Sequence, residues 1–283
     1  MNHVPVLLQE ILEIFDPKPG KVFIDGTANG GGHTRALAEL GAKVLAIEWD
    51  KELYEKLSET IQSTGYANSV IAVHGSYADV KRIARENDVA HVDGVLLDLG
   101  FSSWHVEAAG RGFSFQKDEP LDMRYDISQH QTAADIVNTY SEEDLARILK
   151  EYGEERFDGR IASAIVGVRP ITTTFQLVQA IERVVRRTGK IHPATRTFQA
   201  LRIAVNHELE NVQKGIEGAW EVLKPEGELA VISFHSLEDR IVKNYFKKIS
   251  KTKVIRARWE EIKTNRRARS AKLRVVERTT PAT

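Results

Sequence analysis

The stretch Val22-Phe-Ile-Asp25-Gly-Thr-Ala-Asn-Gly-Gly-Gly-His33 decides the fold. A short apolar run ends in an acid, enters a glycine-rich turn, and passes into a helical pattern over Arg35–Leu40. Open α/β sheets place ligands in this way, in the crevice outside the carboxyl ends of their strands. Working outward, Lys43–Ile47 reads as a second buried strand, with Glu48 at its end. Lys51–Ser63 reads as a helix with Leu53, Leu57 and Ile61 on one face. Val70–Val73 is a third strand, Val80–Glu86 a helix, and Gly94–Leu97 a fourth strand ending in Asp98. This alternation predicts a parallel, doubly wound sheet with right-handed crossovers.

The pattern breaks after Asp98. Phe101–Tyr125 is rich in Gly, Ser, Arg and aromatic residues and reads as loop. Ser141–Asp144 is a capping box opening a helix, and further helices are expected over Glu155–Val166 and Thr174–Arg187, with Gly189 as a C-cap. From Pro193 the apolar residues Leu201, Val205, Leu209, Val212, Ile216, Trp220 and Leu223 recur at helical spacing, predicting one helix of about 31 residues. Strand returns at Leu229–Ser233. Ser236–Asp239 reads as a second capping box, and Lys272–Glu277 is the last strand. The expected organisation is an α/β domain over 1–106 and 201–283, split by an all-helical insertion over 107–200.

The chain has 283 residues, with 40 Lys+Arg, 40 Asp+Glu and no Cys. At 42% hydrophobic it can build a real core. Without Cys there are no disulfides, thiolate metal sites or cysteine nucleophiles. The histidines show no HxH or HExxH pair, so no metal is expected. A Ser–His–Asp hydrolase from Ser236, His235 and Asp239 would lack the GxSxG elbow, and Ser236 reads better as a helix cap. The N-terminus has no basic leader, and no apolar run nears the roughly 20 residues of a membrane span. The expectation is a cytoplasmic protein with no membrane partner. The zero net charge is unevenly spread: Arg240–Thr283 carries 15 Lys/Arg against 3 acids, a net of +12 that leaves −12 elsewhere. Arg156–Arg202 is a second basic island, with 9 Lys/Arg against 2 acids. Such segregation suggests a nucleic-acid surface on an acidic body.

Three acids end strands. Asp25 suits the positively charged amino-acid end of S-adenosylmethionine and would repel a pyrophosphate. The glycines at 26, 30, 31 and 32 also miss the strict GxGxxG frame of dinucleotide sites. Glu48 can accept two ribose hydroxyls, which serves NAD and S-adenosylmethionine equally. Tyr77 is placed to pack on an adenine face. Asp98 lies where substrate and cofactor meet, and acceptors there suit an amine: they hold the NH2 so that its lone pair faces the methyl group. C5 methylation of a pyrimidine normally needs a thiolate, which this chain lacks. A nicotinamide-dependent oxidoreductase and an inactive RNA-binding or assembly protein are the rival readings.

The blocks DGTANGGGHT (25–34), LLDLGFSS (96–103), RGFSF (111–115), PLDMRYD (120–126), YGEERF (152–157), HPATRTFQALRIAVNHEL (192–209), ELAVISFHSLEDRIVK (228–243) and RRARSAKLRVVER (266–278) follow in order. Together they resemble the ribosomal RNA small-subunit methyltransferase H (MraW) family over essentially the whole chain. The resemblance implies a class I methyltransferase fold with a helical insertion. It also implies S-adenosylmethionine-dependent methylation of N4 of a cytidine in 16S rRNA, at the ribosomal P site, with the 30S subunit as partner. It places cofactor contacts on Gly31, Gly32, His33, Glu48, Tyr77, Asp98 and His105. Glu48 stands where the family usually has Asp, and Trp104-His105 where it has Pro-Gln. Asp98 is the expected catalytic residue, helped by Phe101–Ser103, with Trp104, Phe113 and Phe115 as rings for the extruded base. Arg124, Arg196, Arg202, Arg240, Arg266, Arg267 and Arg269 are the expected RNA contacts. An apolar face on the insertion would support a homodimer.

Overall fold

The computed structural model describes residues 5–186, 192–250 and 252–279, so the expected cap at Gly189 lies outside the described residues. The chain forms two compact units, Met1–Gly100 with Leu209–Thr283, and Phe101–Glu208. The expected insertion bounds were 107 and 200; here the second unit runs from 101 to 208.

The first unit opens with α1 (Leu8–Phe15), β1 (Val22–Asp25), α2 (Gly32–Glu39), β2 (Lys43–Glu48), α3 (Lys51–Ser63), β3 (Val70–His74), α4 (Val80–Glu86) and β4 (Val92–Asp98). The second unit holds α5 (Ser103–Glu107), α6 (Ala133–Thr139), α7 (Glu142–Gly153), α8 (Asp158–Val166), α9 (Thr174–Glu182) and α10 (Ala194–Asn206). Then come α11 (Glu208–Val222), β5 (Leu223–Ser233), α12 (Ser236–Phe246), β6 (Val254–Ile255), α13 (Trp259–Thr264) and β7 (Lys272–Glu277).

The sheet order is β3-β2-β1-β4-β5-β7-β6. The first five strands are parallel, as the alternation predicts. The sheet is not parallel throughout: β7 runs antiparallel to β5, and β6 antiparallel to β7. Alternate residues of each central strand enter two separate cores. Phe23, Val44, Ala46, Leu96 and Ile232 pack on one face with α1 and α2; Ile24, Leu45, Ile47, Leu97 and Val231 pack on the other with α4, α11 and α12. Burial on both faces explains why these strands read as continuous apolar runs.

Three local expectations fail for backbone reasons. The 31-residue helix is two helices, because His207 takes a left-handed conformation (φ 50°) that ends α10 before α11 begins. Apolar spacing persists across that break, so periodicity alone does not reveal it. Pro225–Gly227, whose composition predicts a turn before the strand, lies inside β5, with a register shift opposite Val92–Gly94 and Glu226 at φ 66°. The cap of α12 is His235, whose ring accepts the Glu238 N–H, and not Ser236. Ser141 does cap α7, accepting from the Asp144 N–H at 3.0 Å.

Within the second unit, the block 120–126 is fastened to α10. Asn206 Oδ1 accepts the Tyr125 N–H at 2.8 Å, and Asn206 Nδ2 donates to the Met123 carbonyl at 2.7 Å. Gly153 ends α7 against α10, where a Cβ would stand 2.7 Å from the Arg196 carbonyl oxygen. No helix among the described residues is long and apolar enough to cross a membrane.

Candidate functional site

The carboxyl ends of β1, β2 and β4 bring Asp25, Glu48 and Asp98 together in the first unit, all three buried. A fourth buried acid, Glu238, joins them from the first turn of α12, and its charge bears on Asp98. Sequence reasoning missed Glu238 because it reads as a helix-cap partner; it is one, accepting the N–H groups of Phe234 (2.8 Å) and His235 (3.2 Å).

The four acids are not equivalent. Asp25 locks the loop: its Oδ2 accepts from Thr34 Oγ1 at 2.7 Å and its Oδ1 from the Thr27 N–H at 3.2 Å. Thr27 Oγ1 in turn accepts the Asp98 N–H at 2.7 Å, joining the glycine loop to β4. Both threonines lie inside the 25–34 motif, yet nothing in their spacing announces these roles. Glu48 accepts the Asn29 N–H on Oε2 (2.6 Å) and the Asp50 N–H on Oε1 (2.8 Å), and each oxygen keeps a second lone pair. Asp98 differs: its Oδ1 is buried and has no hydrogen-bond partner among the described residues. A buried acceptor left open is costly unless something comes to fill it.

Burial is the main electrostatic fact here. It pushes Asp25 and Asp98 up to about 6 and Glu48 up to about 8. The Thr34 and Thr27 bonds oppose the rise at Asp25, and the backbone N–H groups of Asp50 and Asn29 oppose it at Glu48. At Asp98 the opposition comes from His33 and Arg267. Burial also lowers His33. The His33 Nε2 lies 3.0 Å from the Val6 carbonyl oxygen, which can only accept, so Nε2 carries the proton. Nδ1 lies 3.9 Å from Asp98 Oδ2.

The glycines work against the protein itself. Gly31, at φ +77°, caps α2, and a Cβ there would stand 2.8 Å from Leu57 Cδ1. A Cβ on Gly32 would press on the Pro5 ring at 3.1 Å. They let the loop lie tightly between α3 and the N-terminal turn. Tyr77 follows β3, and its ring lies over Gly215 of α11, where a Cβ would come within 2.5 Å of it.

A family model described as the MraW methylase family matches residues 1–279. The chain belongs to that family. Relatives named ribosomal RNA small subunit methyltransferase H agree over 98% of the chain. Those of Syntrophotalea carbinolica and Thermosipho melanesiensis are each 46% identical, with 98% of their own length covered. That of Deinococcus deserti is 48% identical, with 93% covered.

The family makes the protein a methyltransferase of the class I fold, with S-adenosylmethionine as its methyl donor. The nicotinamide reading is set aside. The site suits a cationic donor: buried carboxylates at three strand ends, with the open Asp98 Oδ1 among them. Gly31, Gly32, His33, Glu48, Tyr77 and Asp98 all belong to this unit.

His105, with Phe101–Ser103, belongs to the second unit. Its Nδ1 accepts the Ser102 N–H at 3.1 Å, and its ring lies 5.0 Å from both Phe113 and Tyr125. Phe113 also stacks on Tyr125 at 5.4 Å, while Phe115 stacks on His192 at 4.6 Å and packs on Phe198. Phe113 and Phe115 thus anchor the loop within its own unit.

Two expected RNA contacts are corrected. Arg124 spends its guanidinium on Asp122 (2.7 Å) and on the carbonyls of Ile127 and Gln129. Arg202 is buried, paired to Glu208 at 2.8 and 3.0 Å, and stacked 4.5 Å from the Phe101 ring. Neither presents a free fork to a phosphate. Arg196 gives one N–H to the Glu154 carbonyl. Arg240, Arg266 and Arg269 are exposed, and Arg267 lies 5.5 Å over the Phe234 ring.

Proposed function

We propose that the protein methylates the exocyclic N4 amine of a cytidine in 16S rRNA at the ribosomal P site, within the 30S subunit. The observation that carries the amine as acceptor is the open, buried Asp98 Oδ1 at the end of β4. The names of the relatives support small-subunit rRNA as substrate.

S-adenosylmethionine, when bound, supplies an electrophilic methyl group on a sulfonium. Gly31, Gly32, His33 and Glu48 would hold it, with Tyr77 for its adenine. Asp98 accepts an amine N–H and turns the nitrogen lone pair toward the methyl group. Forming the N–C bond breaks the S–CH3 bond, whose electron pair stays on the sulfur as a neutral thioether, and leaves the nitrogen with one proton too many. Asp98, pushed up to about 6, takes that proton near neutral pH. The target base must leave its stack to reach this point. Arg240, Arg266, Arg267 and Arg269 of the first unit and Arg196 of the second contact phosphates.

The test is methyl transfer from isotope-labelled S-adenosylmethionine to purified 30S subunits and to free 16S rRNA, followed by nucleoside analysis. The proposal expects label in N4-methylcytidine from the 30S reaction. Label in another nucleoside, or only in protein, contradicts it.

A further inference from the structure

Trp259 is 64% exposed, the most exposed large hydrophobic side chain among the described residues. It opens α13, and Lys263, one turn on, sets its Nζ 5.4 Å from the centre of the indole. Lys253, Arg256, Arg258, Arg266 and Arg269 are exposed on the same segment. Arg258 pairs with Glu10 (3.4 Å) and Glu13 (3.8 Å). The side chains of Lys253, Arg256, Arg266 and Arg269 have no ion pair or hydrogen bond among the described residues. Of the two acids here, Glu261 turns inward to accept the Leu7 N–H at 2.8 Å. An exposed aromatic face with a cation over it, on a segment that carries further unpaired cations, is the combination that binds single-stranded nucleic acid.

The segment is also tied to the site from two sides. Asn265 ends α13 and caps the 3-10 turn Arg266–Arg269, from which Arg267 reaches Phe234 and lends its charge to Asp98. On the other side Glu261 holds Leu7, and the adjoining Val6 carbonyl holds His33. An RNA strand lying on α13 is therefore close to the reacting centre. A second copy of this chain is a poor occupant: a two-fold contact centred on Trp259 would set these cations against their own kind.

We propose that Trp259 is a stacking platform for an unpaired base of the substrate RNA beside the target nucleotide, with Lys263, Arg266 and Arg269 holding the flanking phosphates. This rests on RNA being the substrate. A base drawn out of its stack leaves its neighbours without a stacking partner, and a fixed aromatic face supplies one where the neighbour is unpaired.

The test is equilibrium binding of a short labelled single-stranded oligoribonucleotide and of the matching duplex, across a range of salt. Trp259→Ala should weaken single-strand binding roughly tenfold to a hundredfold, leaving duplex binding and the salt slope unchanged. Trp259→Phe should restore most of it, and both variants should keep wild-type S-adenosylmethionine affinity, showing that they are folded. An R266A/R269A double variant should instead flatten the single-strand salt slope by about 1.4. Wild-type single-strand affinity in Trp259→Ala overturns the platform. So does a loss of self-association in that variant with RNA binding intact, which would make the patch a protein interface. Methyl transfer to small-subunit rRNA by the wild type is read in parallel. If it persists, only the platform has failed; if the wild type never methylates that RNA, the substrate reading has failed with it.

Discussion

Asp98→Asn should stabilise the protein while disabling it. A rise from 3.8 to about 6 means that the ionised carboxylate is about 3 kcal/mol worse off in the folded chain than in the unfolded one. The sign follows from proton binding. Between those two values the folded state holds the extra proton, so this group's stabilisation is complete below 3.8 and is lost as pH rises through about 6. Asparagine has the shape but no charge, so the variant lacks that loss. Placing an amide where Oδ1 has no partner adds a fixed penalty of roughly 1–3 kcal/mol, which does not vary with pH. The signature is therefore the slope. The stability of the variant relative to wild type should climb by about 3 kcal/mol over the full window, with about half of that between pH 5 and pH 8. Urea melts at a series of pH values measure it, and the burial slopes of Asp25 and Glu48 cancel because both proteins share them. If Asp98 is the general base proposed above, methyl transfer by the variant falls roughly 100-fold or more. A pH-independent difference in stability would mean that Asp98 is not a desolvated charge.

Three further outcomes follow from the same geometry. Gly31→Ala forces a side chain to φ +77° and toward Leu57 at 2.8 Å, which should cost about 1–2 kcal/mol for the backbone alone and weaken cofactor binding in calorimetry; Gly65→Ala, at φ +80° with nothing within 4 Å, should show the backbone cost only. Arg202→Ala strands Glu208 in the interior and should destabilise the protein by roughly 3–5 kcal/mol in denaturant melts, with no change in the salt dependence of RNA binding. Binding of S-adenosylmethionine at pH 7 should release about one proton, mostly from Glu48, whose carboxyl sits at about 8 before a cation and hydroxyl donors favour its ionised form; calorimetry in buffers of different ionisation enthalpy reads this, and proton uptake would contradict it.

The parallel half of the sheet was legible because its strands are buried on both faces and spaced by helices of ordinary length. Three site acids were legible for a related reason: each follows an apolar run, and a strand end fixes where its side chain stands. The remainder depends on tertiary contacts that sequence does not display. His207 breaks a helix without disturbing its apolar spacing. Glu238 turns from cap partner into a neighbour of Asp98 only once β4 and α12 are folded. Arg202 belongs to a basic island by composition, yet its charge is answered six residues on by Glu208. Trp259 drew no notice, since a tryptophan is expected inside and only the fold exposes it.

Transfer of a methyl group to a cytidine amine of small-subunit rRNA through Asp98 can be read in the cell, by mass spectrometry of 16S rRNA nucleosides from a strain lacking the gene, complemented with wild type or with Asp98→Ala. N4-methylcytidine should be lost on deletion, restored by the wild type, and not restored by Asp98→Ala. Undiminished N4-methylcytidine in the deletion strain, or full restoration by Asp98→Ala, would contradict it.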